Sequence, residues 1–194
     1  MDYLKDFADQ KYTVYMIRDD YLAGKKQNYH FFWGHKPSED GSITKSCLSQ
    51  WWHCEFEING QKYSCMEQFM MASKARLFQD DDILKNILHT SDPYTIKELG
   101  RKVKGFREDL WNNHKFSIVF YGNYQKFSQN QELKEYLIAT KDSILAEASP
   151  YDAIWGIKMS ENDVDAENPM KWRGQNLLGF ALMQVRDCLM EDFM

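Results

Sequence analysis

From residue 64 onward, apolar side chains recur at intervals of three and four positions, the spacing that places them on one face of an α-helix. The first such segment begins at Ser64, where Ser64 and Glu67 fit the two polar positions of a capping box. Further segments with this spacing cover residues 81–88, 95–103, 108–124, 130–139 and 176–190. The pattern predicts a chain that is mostly helical after its first third.

Strand patterns are confined to the front of the chain. Residues 29–34 form an aromatic run closed by a glycine, which is typical of a strand. Residues 56–58 precede Asn59-Gly60, a dipeptide that readily adopts the positive φ values of a type I′ hairpin turn. The predicted fold class is therefore α+β and predominantly helical, a single compact domain with a few short strands near its N-terminal part.

Residues 1–26 differ from the rest of the chain, because they alternate charged and aromatic side chains and end in Gly24-Lys25-Lys26. We interpret them as an N-terminal extension that forms an accessory helix or strand. The remaining residues, 27–194, are assigned to the main domain, a length within the usual range for one hydrophobic core.

Composition narrows the class of function. The net charge of −5 argues against a protein that binds a nucleic-acid backbone, although small basic clusters are compatible with a phosphorylated small molecule. Aromatic residues make up 15% of the chain and could supply flat surfaces for ligand stacking. No apolar run has the length of a membrane helix and no signal-peptide pattern opens the chain, so a cytoplasmic protein is expected.

Metals and cofactors are not expected from the motifs. The five histidines show no HxxxH or HExxH spacing and the four cysteines form no CxxC pair. Dinucleotide-binding and P-loop glycine motifs are absent from the sequence as well.

Glu67 and Lys74 are the first candidates for chemistry. They lie seven positions apart in one predicted helix, so they share a face and are separated by about 10.5 Å along its axis, near the length of a sugar phosphate. The alternative for Glu67 is a capping role toward the Ser64 amide, and for Lys74 a solvated position on the helix surface.

A second group of candidates follows Pro150. This proline disfavours helix at Ser149, so Asp152 and Trp155 are expected to project from an irregular segment, and Gly156 would allow a close approach by a ligand or another backbone. The alternatives are an N-cap role for Asp152 and a core position for Trp155. Asn176 has the same N-cap alternative, while Arg101 and Arg186 have alternatives as solvated residues or as a complement to the helix dipole.

The order of these motifs resembles the YbiA-like family of N-glycosidases, also called the NADAR superfamily. The resemblance covers roughly residues 29–189, and it departs from the family in the loop at 36–46 and in Ile157-Lys158-Met159, where many members have Gly-x-Gly. The matching motifs include Phe31-Phe32-Trp33-Gly34, Tyr63-Ser64-Cys65-Met66-Glu67-Gln68, Lys74-Ala75, Leu99-Gly100-Arg101, Pro150-Tyr151-Asp152, Trp155-Gly156 and Trp172-Arg173-Gly174-Gln175-Asn176.

The resemblance implies cleavage of a ribosyl N-glycosidic bond, either in a phosphoribosylamino-pyrimidine intermediate of riboflavin synthesis or in ADP-ribose attached to guanine in nucleic acid. It implies Glu67, Lys74 and Asp152 as catalytic residues. The residues implied in substrate binding are Trp33, Arg101, Trp155, Gly156, Trp172, Asn176 and Arg186.

Two mechanisms stay open from the sequence. Glu67 and Asp152 could stabilise positive charge at C1′ and activate water, in either order. Alternatively, a desolvated Lys74 could attack C1′ of the ring-opened sugar and form a Schiff base, with Glu67 moving the proton. The rival class of function is a non-catalytic module that binds ADP-ribose or a nucleotide.

Overall fold

The computed structural model describes residues 9–191, which fall into two compact units. One unit contains residues 50–130, and the other contains residues 9–49 together with the chain from 131 onward. In chain order the elements are α1 (Val14–Leu22), β1 (Tyr29–Phe32), β2 (Phe56–Ile58), β3 (Gln61–Tyr63), α2 (Met66–Leu77), α3 (Asp81–Leu88), α4 (Pro93–Arg101), α5 (Glu108–Gln129), α6 (Gln131–Ala139), β4 (Ile144–Glu147) and α7 (Leu177–Glu191).

The unit of residues 50–130 is built around α2, which packs against α3, α4 and α5. The β2–β3 hairpin precedes it, and Asn59 and Gly60 at its turn have φ values of 51° and 79°. Close packing of α2 on α5 depends on Gly122, because a Cβ atom there would lie 2.4 Å from the ring of Phe69. The core of this unit therefore forms along the buried face of α2.

The other unit is built around a two-stranded parallel sheet. Strand β1 pairs with β4 in the register Tyr29 to Ile144 and Phe32 to Glu147. Helix α7 packs on β4, and this contact requires Gly179, because a Cβ atom there would lie 2.0 Å from the Leu145 carbonyl oxygen. Since the two strands are parallel, their carboxyl ends lie at the same edge of the sheet.

Residues 9–26 are joined to this second unit. Ile17 in α1 is buried, and the Arg18 guanidinium donates hydrogen bonds of 3.0 Å to the carbonyl oxygens of Pro169 and Trp172. Tyr12 donates to the Asp187 carboxylate. Residues 1–8 of the predicted extension and residues 192–194 lie outside the described residues, and the boundary after residue 26 stays a prediction.

The predicted fold class is confirmed: helices dominate and the strands are short. The predicted hairpin is present, and α3 has the predicted bounds. Three differences stand out, because α5 continues five residues further to Gln129, α4 begins two residues earlier at Pro93, and β4 was not predicted. Within residues 9–191, no helix has both the length and the apolar character needed to cross a bilayer.

Candidate active site

Glu67 lies in the first turn of α2 and is only 4% exposed. Its backbone amide donates a hydrogen bond of 2.9 Å to the carbonyl oxygen of Gln50. A carboxylate in the first turn of a helix is stabilised by the positive end of the helix dipole. The helix dipole therefore offsets part of the cost of burying a carboxylate at this position.

The structure differs from the predicted capping box. The N-cap of α2 is Cys65, whose side chain makes no capping hydrogen bond. The Ser64 amide donates instead to Oε1 of Gln68, at 2.8 Å, and the Gln68 amide nitrogen donates to the carbonyl oxygens of Ile87 and Thr90. Gln68 therefore performs the capping function that the sequence assigned to Glu67.

Lys74 lies two turns after Glu67 on α2 and is half-buried. Its Nζ atom donates a hydrogen bond of 2.8 Å to the carbonyl oxygen of Gly100. The same atom lies 4.4 Å from the centroid of the Phe106 ring and 5.7 Å from that of Trp111. Lys74 thus occupies a partly aromatic enclosure and is not the solvated helix lysine of the alternative interpretation.

Burial lowers the pKa of Lys74 below the ordinary lysine value, although the negative charge of Glu67 opposes this shift. Desolvation disfavours the charged ammonium, whereas a nearby carboxylate favours it. Because the burial effect is the larger one, the neutral amine is more accessible here than on a surface lysine. A neutral amine is the form of lysine that attacks carbonyl carbon.

Arg101, the remaining candidate in residues 50–130, is exposed at the end of α4 and pairs with Glu98 one turn earlier. An exposed pair of this kind contributes little stability and can exchange its partner. Within this unit the structure therefore brings Glu67 and Lys74 into one electrostatically coupled group, and the role of Arg101 in phosphate binding stays a prediction.

In the second unit, Asp152 organises the turn after β4. Its Oδ1 atom accepts hydrogen bonds of 2.8 Å from the amides of Ile154 and Trp155. This is the local capping role considered as the alternative for Asp152. Asp152 and Trp155 are both half-buried, so their side chains also keep contact with solvent.

Gly156 permits a close approach by the backbone of β4. A Cβ atom at this position would lie 2.7 Å from the Glu147 carbonyl oxygen, and one at Gly174 would lie 2.1 Å from the Gly156 carbonyl oxygen. The backbone amide of Asn176 also donates a hydrogen bond to the Gly156 carbonyl oxygen, at 3.1 Å. These contacts hold the segment around Gly156 against the one that leads into α7.

Asn176 is fully buried and has a positive φ of 55°. Its side-chain nitrogen donates to the Leu145 carbonyl oxygen at 2.8 Å, and its Oδ1 accepts from the Glu147 amide at 3.0 Å. The side chain therefore joins the start of α7 to the backbone of β4. This geometry favours a positioning role, and direct binding of the ribose by Asn176 stays a prediction.

Trp172 and Arg186 are also buried. The indole nitrogen of Trp172 donates to the Ala166 carbonyl oxygen at 2.7 Å. Arg186 donates to Thr140 Oγ1 at 2.8 Å and to the Ser143 carbonyl oxygen at 2.9 Å, and burial lowers the pKa of its guanidinium. Both side chains thus form hydrogen bonds within the protein, and their contacts with substrate stay predictions.

Trp33 and Tyr151 form an exposed aromatic pair. Trp33 follows β1, Tyr151 lies four residues after the end of β4, and their ring centroids are 6.2 Å apart. They are 53% and 82% exposed, which is unusual for large aromatic residues. The sequence interpretation assigned substrate binding to Trp33 and did not place Tyr151 beside it, because the pairing of β1 with β4 could not be read from the local pattern.

The chain is similar to known proteins over most of its length. The NADAR domain family matches residues 31–190. An N-glycosidase of Acanthamoeba polyphaga mimivirus is 41% identical over 164 residues, which cover 82% of this chain and 95% of that protein. A riboflavin biosynthesis protein of Vibrio vulnificus is 27% identical over 144 residues, which cover 74% of this chain and 35% of that protein.

Among solved structures, the NMR structure of the Escherichia coli protein YbiA matches with a TM-score of 0.69 at 24% identity, covering 87% of this chain and 88% of that one. This match supports the fold. The relatives confirm the expected enzyme class, an N-glycosidase. Because the family match extends over most of the chain, the protein belongs to the NADAR family.

Proposed function

We propose that this enzyme hydrolyses the C1′–N bond of a ribosylamine, in which a phosphorylated ribose is joined to the amino group of a base. Two substrates of this class are a phosphoribosylamino-pyrimidine of riboflavin synthesis and ADP-ribose attached to guanine in nucleic acid. The Vibrio vulnificus relative, named a riboflavin biosynthesis protein, supports the first. The second rests on resemblance to the family.

The observation that carries the proposal is the environment of Lys74. Its amine is half-buried beside two aromatic rings, has a lowered pKa and is electrostatically coupled to the buried Glu67. An amine that loses its proton readily, within electrostatic range of a carboxylate able to carry protons, is suited to Schiff-base chemistry.

In the proposed reaction the ribosylamine opens to its imine form, in which C1′ is doubly bonded to the nitrogen of the base. The Lys74 Nζ lone pair forms a bond to C1′, and the proton that Nζ loses passes to the Glu67 carboxylate. The C1′–N bond to the base then breaks as that nitrogen takes this proton from Glu67, and the Nζ lone pair forms the lysine imine. Water adds to the resulting lysine imine, and loss of the lysine amine releases the free sugar. The net reaction consumes one water and needs no redox partner.

A direct hydrolysis is the competing route for the same bond. Here Glu67 would stabilise the positive charge that develops at C1′ as the base leaves. Asp152 is proposed to assist the water or the ribose hydroxyls, and Arg101 and Arg186 to bind phosphate. In this route Lys74 would act only as a cation and would form no bond to the sugar.

The experiment is an assay of sugar release from the two substrates, with borohydride added to reduce any lysine imine. Wild type should release sugar and form an adduct whose mass equals the protein plus the reduced sugar minus one water, which is lost when the imine forms. Lys74→Arg, which keeps the charge and cannot form this imine, should form no adduct. Sugar release with no adduct would select direct hydrolysis, while binding without sugar release would instead indicate a non-catalytic module.

A further inference from the structure

Gln50 lies in the turn before the β2–β3 hairpin and touches the candidate site through its backbone. Its carbonyl oxygen accepts the hydrogen bond from the Glu67 amide, at 2.9 Å. The two residues are therefore adjacent in space although they are far apart in sequence. No role was assigned to Gln50 from the sequence.

The side chain of Gln50 has an unusual environment. The residue is only 6% exposed, and within the described part of the chain no donor hydrogen-bonds its Oε1 atom. Buried carbonyl oxygens are nearly always hydrogen-bonded, because leaving one without a partner forfeits its hydration. Gln68, by contrast, uses both ends of its buried amide on protein groups.

We infer that Gln50 is a substrate-binding residue whose Oε1 accepts a hydrogen bond from the 2′-hydroxyl of the ribosyl group. This inference rests on the proposed function, in which Glu67 acts at C1′. An amide oxygen accepts and cannot donate, so its ligand must bring an N–H or O–H group and cannot be a phosphate or carboxylate. The sugar hydroxyl adjacent to C1′ is the 2′-hydroxyl, which places a donor beside the atom that Glu67 serves.

The consequence is a preference for ribose over 2′-deoxyribose. A site that holds a buried acceptor for a substrate hydroxyl discriminates against an analogue that lacks it, because the acceptor is then left without a partner. The 2′-hydroxyl also changes the intrinsic reactivity of the bond. The useful quantity is therefore the ribo to deoxyribo ratio of kcat/KM in a variant, divided by the same ratio in wild type.

The test compares Gln50→Met with wild type on a phosphoribosylamino-pyrimidine and its 2′-deoxy analogue. Methionine has nearly the same length and removes the acceptor, so the ribo to deoxyribo ratio should fall by about tenfold or more, the effect of one lost hydrogen bond to a buried partner. The Tm should stay equal or rise, because a buried polar atom without a partner is removed. Gln61→Met, the same change on the β3 strand of this unit, should leave both quantities unchanged.

Two results would overturn the inference. One is an unchanged ratio in Gln50→Met, and the other is equal slowing on both substrates with a lowered Tm, which would mean a structural role. Gln50→Leu provides a second variant if Gln50→Met does not fold. The proposed function is judged separately by sugar release from wild type: if wild type cleaves, only the ratio decides the role of Gln50, and if it does not, both proposals fall.

Discussion

The Nζ atom of Lys74 in α2 donates its hydrogen bond to the backbone carbonyl of Gly100 in α4. This contact needs the helices to lie close together, and Gly100 makes that possible. A Cβ atom at Gly100 would lie 2.0 Å from Sδ and 2.7 Å from Cγ of Met71. Gly100 therefore both accepts the hydrogen bond of the Lys74 amine and allows α2 and α4 to pack closely.

Gly100→Ala should destabilise the protein by about 1–3 kcal/mol, the usual cost of overpacking a core. In an unconstrained helix the same change would stabilise by up to about 1 kcal/mol, so the sign identifies the helix contact as the cause. Denaturant unfolding of Gly100→Ala, of Met71→Ala and of the double variant measures this. The double variant should recover part of the loss, and purely additive effects would contradict the packing explanation.

Glu67→Gln should separate catalysis from stability. The amide keeps the size of the side chain and loses the charge that interacts with the helix N-terminus and with the half-buried Lys74, so unfolding free energy should change by about 1 kcal/mol. Sugar release should fall by about 100-fold or more, because an amide neither carries the proton nor stabilises charge at C1′.

The neighbouring Gln68→Met change provides the control for Glu67. It removes the acceptor of the Ser64 amide and the donor of the Thr90 carbonyl oxygen, and it takes from the Ile87 carbonyl oxygen one of two donors, so a loss of about 2–4 kcal/mol is expected. Its remaining folded fraction should still cleave substrate. If Glu67→Gln cleaves at the wild-type rate, Glu67 has no catalytic role.

Sequence patterns predicted those features that depend on neighbours along the chain. Asn59-Gly60 identified its hairpin, and the apolar spacing over residues 81–88 identified α3. The capping of α2 was assigned to the wrong residue, because Glu67 and Gln68 are adjacent and either side chain can reach back to Ser64. The sequence does not distinguish them, since the choice depends on what each side chain contacts beyond its own helix.

For the site, the sequence placed Glu67 and Lys74 on one face of a helix but could not identify what surrounds them. Burial lowers the pKa of Lys74, and the Phe106 and Trp111 rings beside its amine come from another part of the chain. In the same way, the burial of Asn176 and Arg186 is a property of tertiary packing. The resemblance implied substrate contacts for both, and in the structure they bond to protein groups: Asn176 to the Leu145 carbonyl, and Arg186 to Thr140 Oγ1 and the Ser143 carbonyl.

The pH dependence of imine trapping should follow the titration of Lys74. Because burial lowers its pKa, trapping should increase with pH and reach half its maximum below the pH at which an ordinary lysine loses its proton. The charge of Glu67 raises the pKa of Lys74, so Glu67→Gln should move the midpoint to still lower pH while reducing the amplitude. A midpoint that moves upward, or an adduct in Lys74→Arg, would contradict the assignment.

Asn176→Ala should destabilise the fold by about 2–4 kcal/mol, because the Leu145 carbonyl and the Glu147 amide both lose a buried partner. Asn176→Gly loses the same bonds but adopts the positive φ freely, so it should be less destabilised by about 1 kcal/mol. Thermal and denaturant unfolding test both variants. A stable Asn176→Ala protein with a raised KM would show that the side chain contacts substrate and does not hold α7 to β4.

Trp33 and Tyr151 should contribute to substrate binding with little effect on stability. Both rings are largely exposed at one edge of the parallel sheet, where a planar base could stack on them. Trp33→Ala and Tyr151→Ala should each raise KM by about 5- to 150-fold, the range expected from losing about 1–3 kcal/mol of stacking, with kcat and Tm nearly unchanged. Tyr151→Phe keeps the ring and should bind like wild type, which separates stacking from hydrogen bonding by the hydroxyl.

Steady-state kinetics on a base-bearing substrate, compared with binding of free ribose 5-phosphate, would locate the effect. Variants that weaken the binding of ribose 5-phosphate as much as that of the full substrate would contradict stacking of the base on Trp33 and Tyr151.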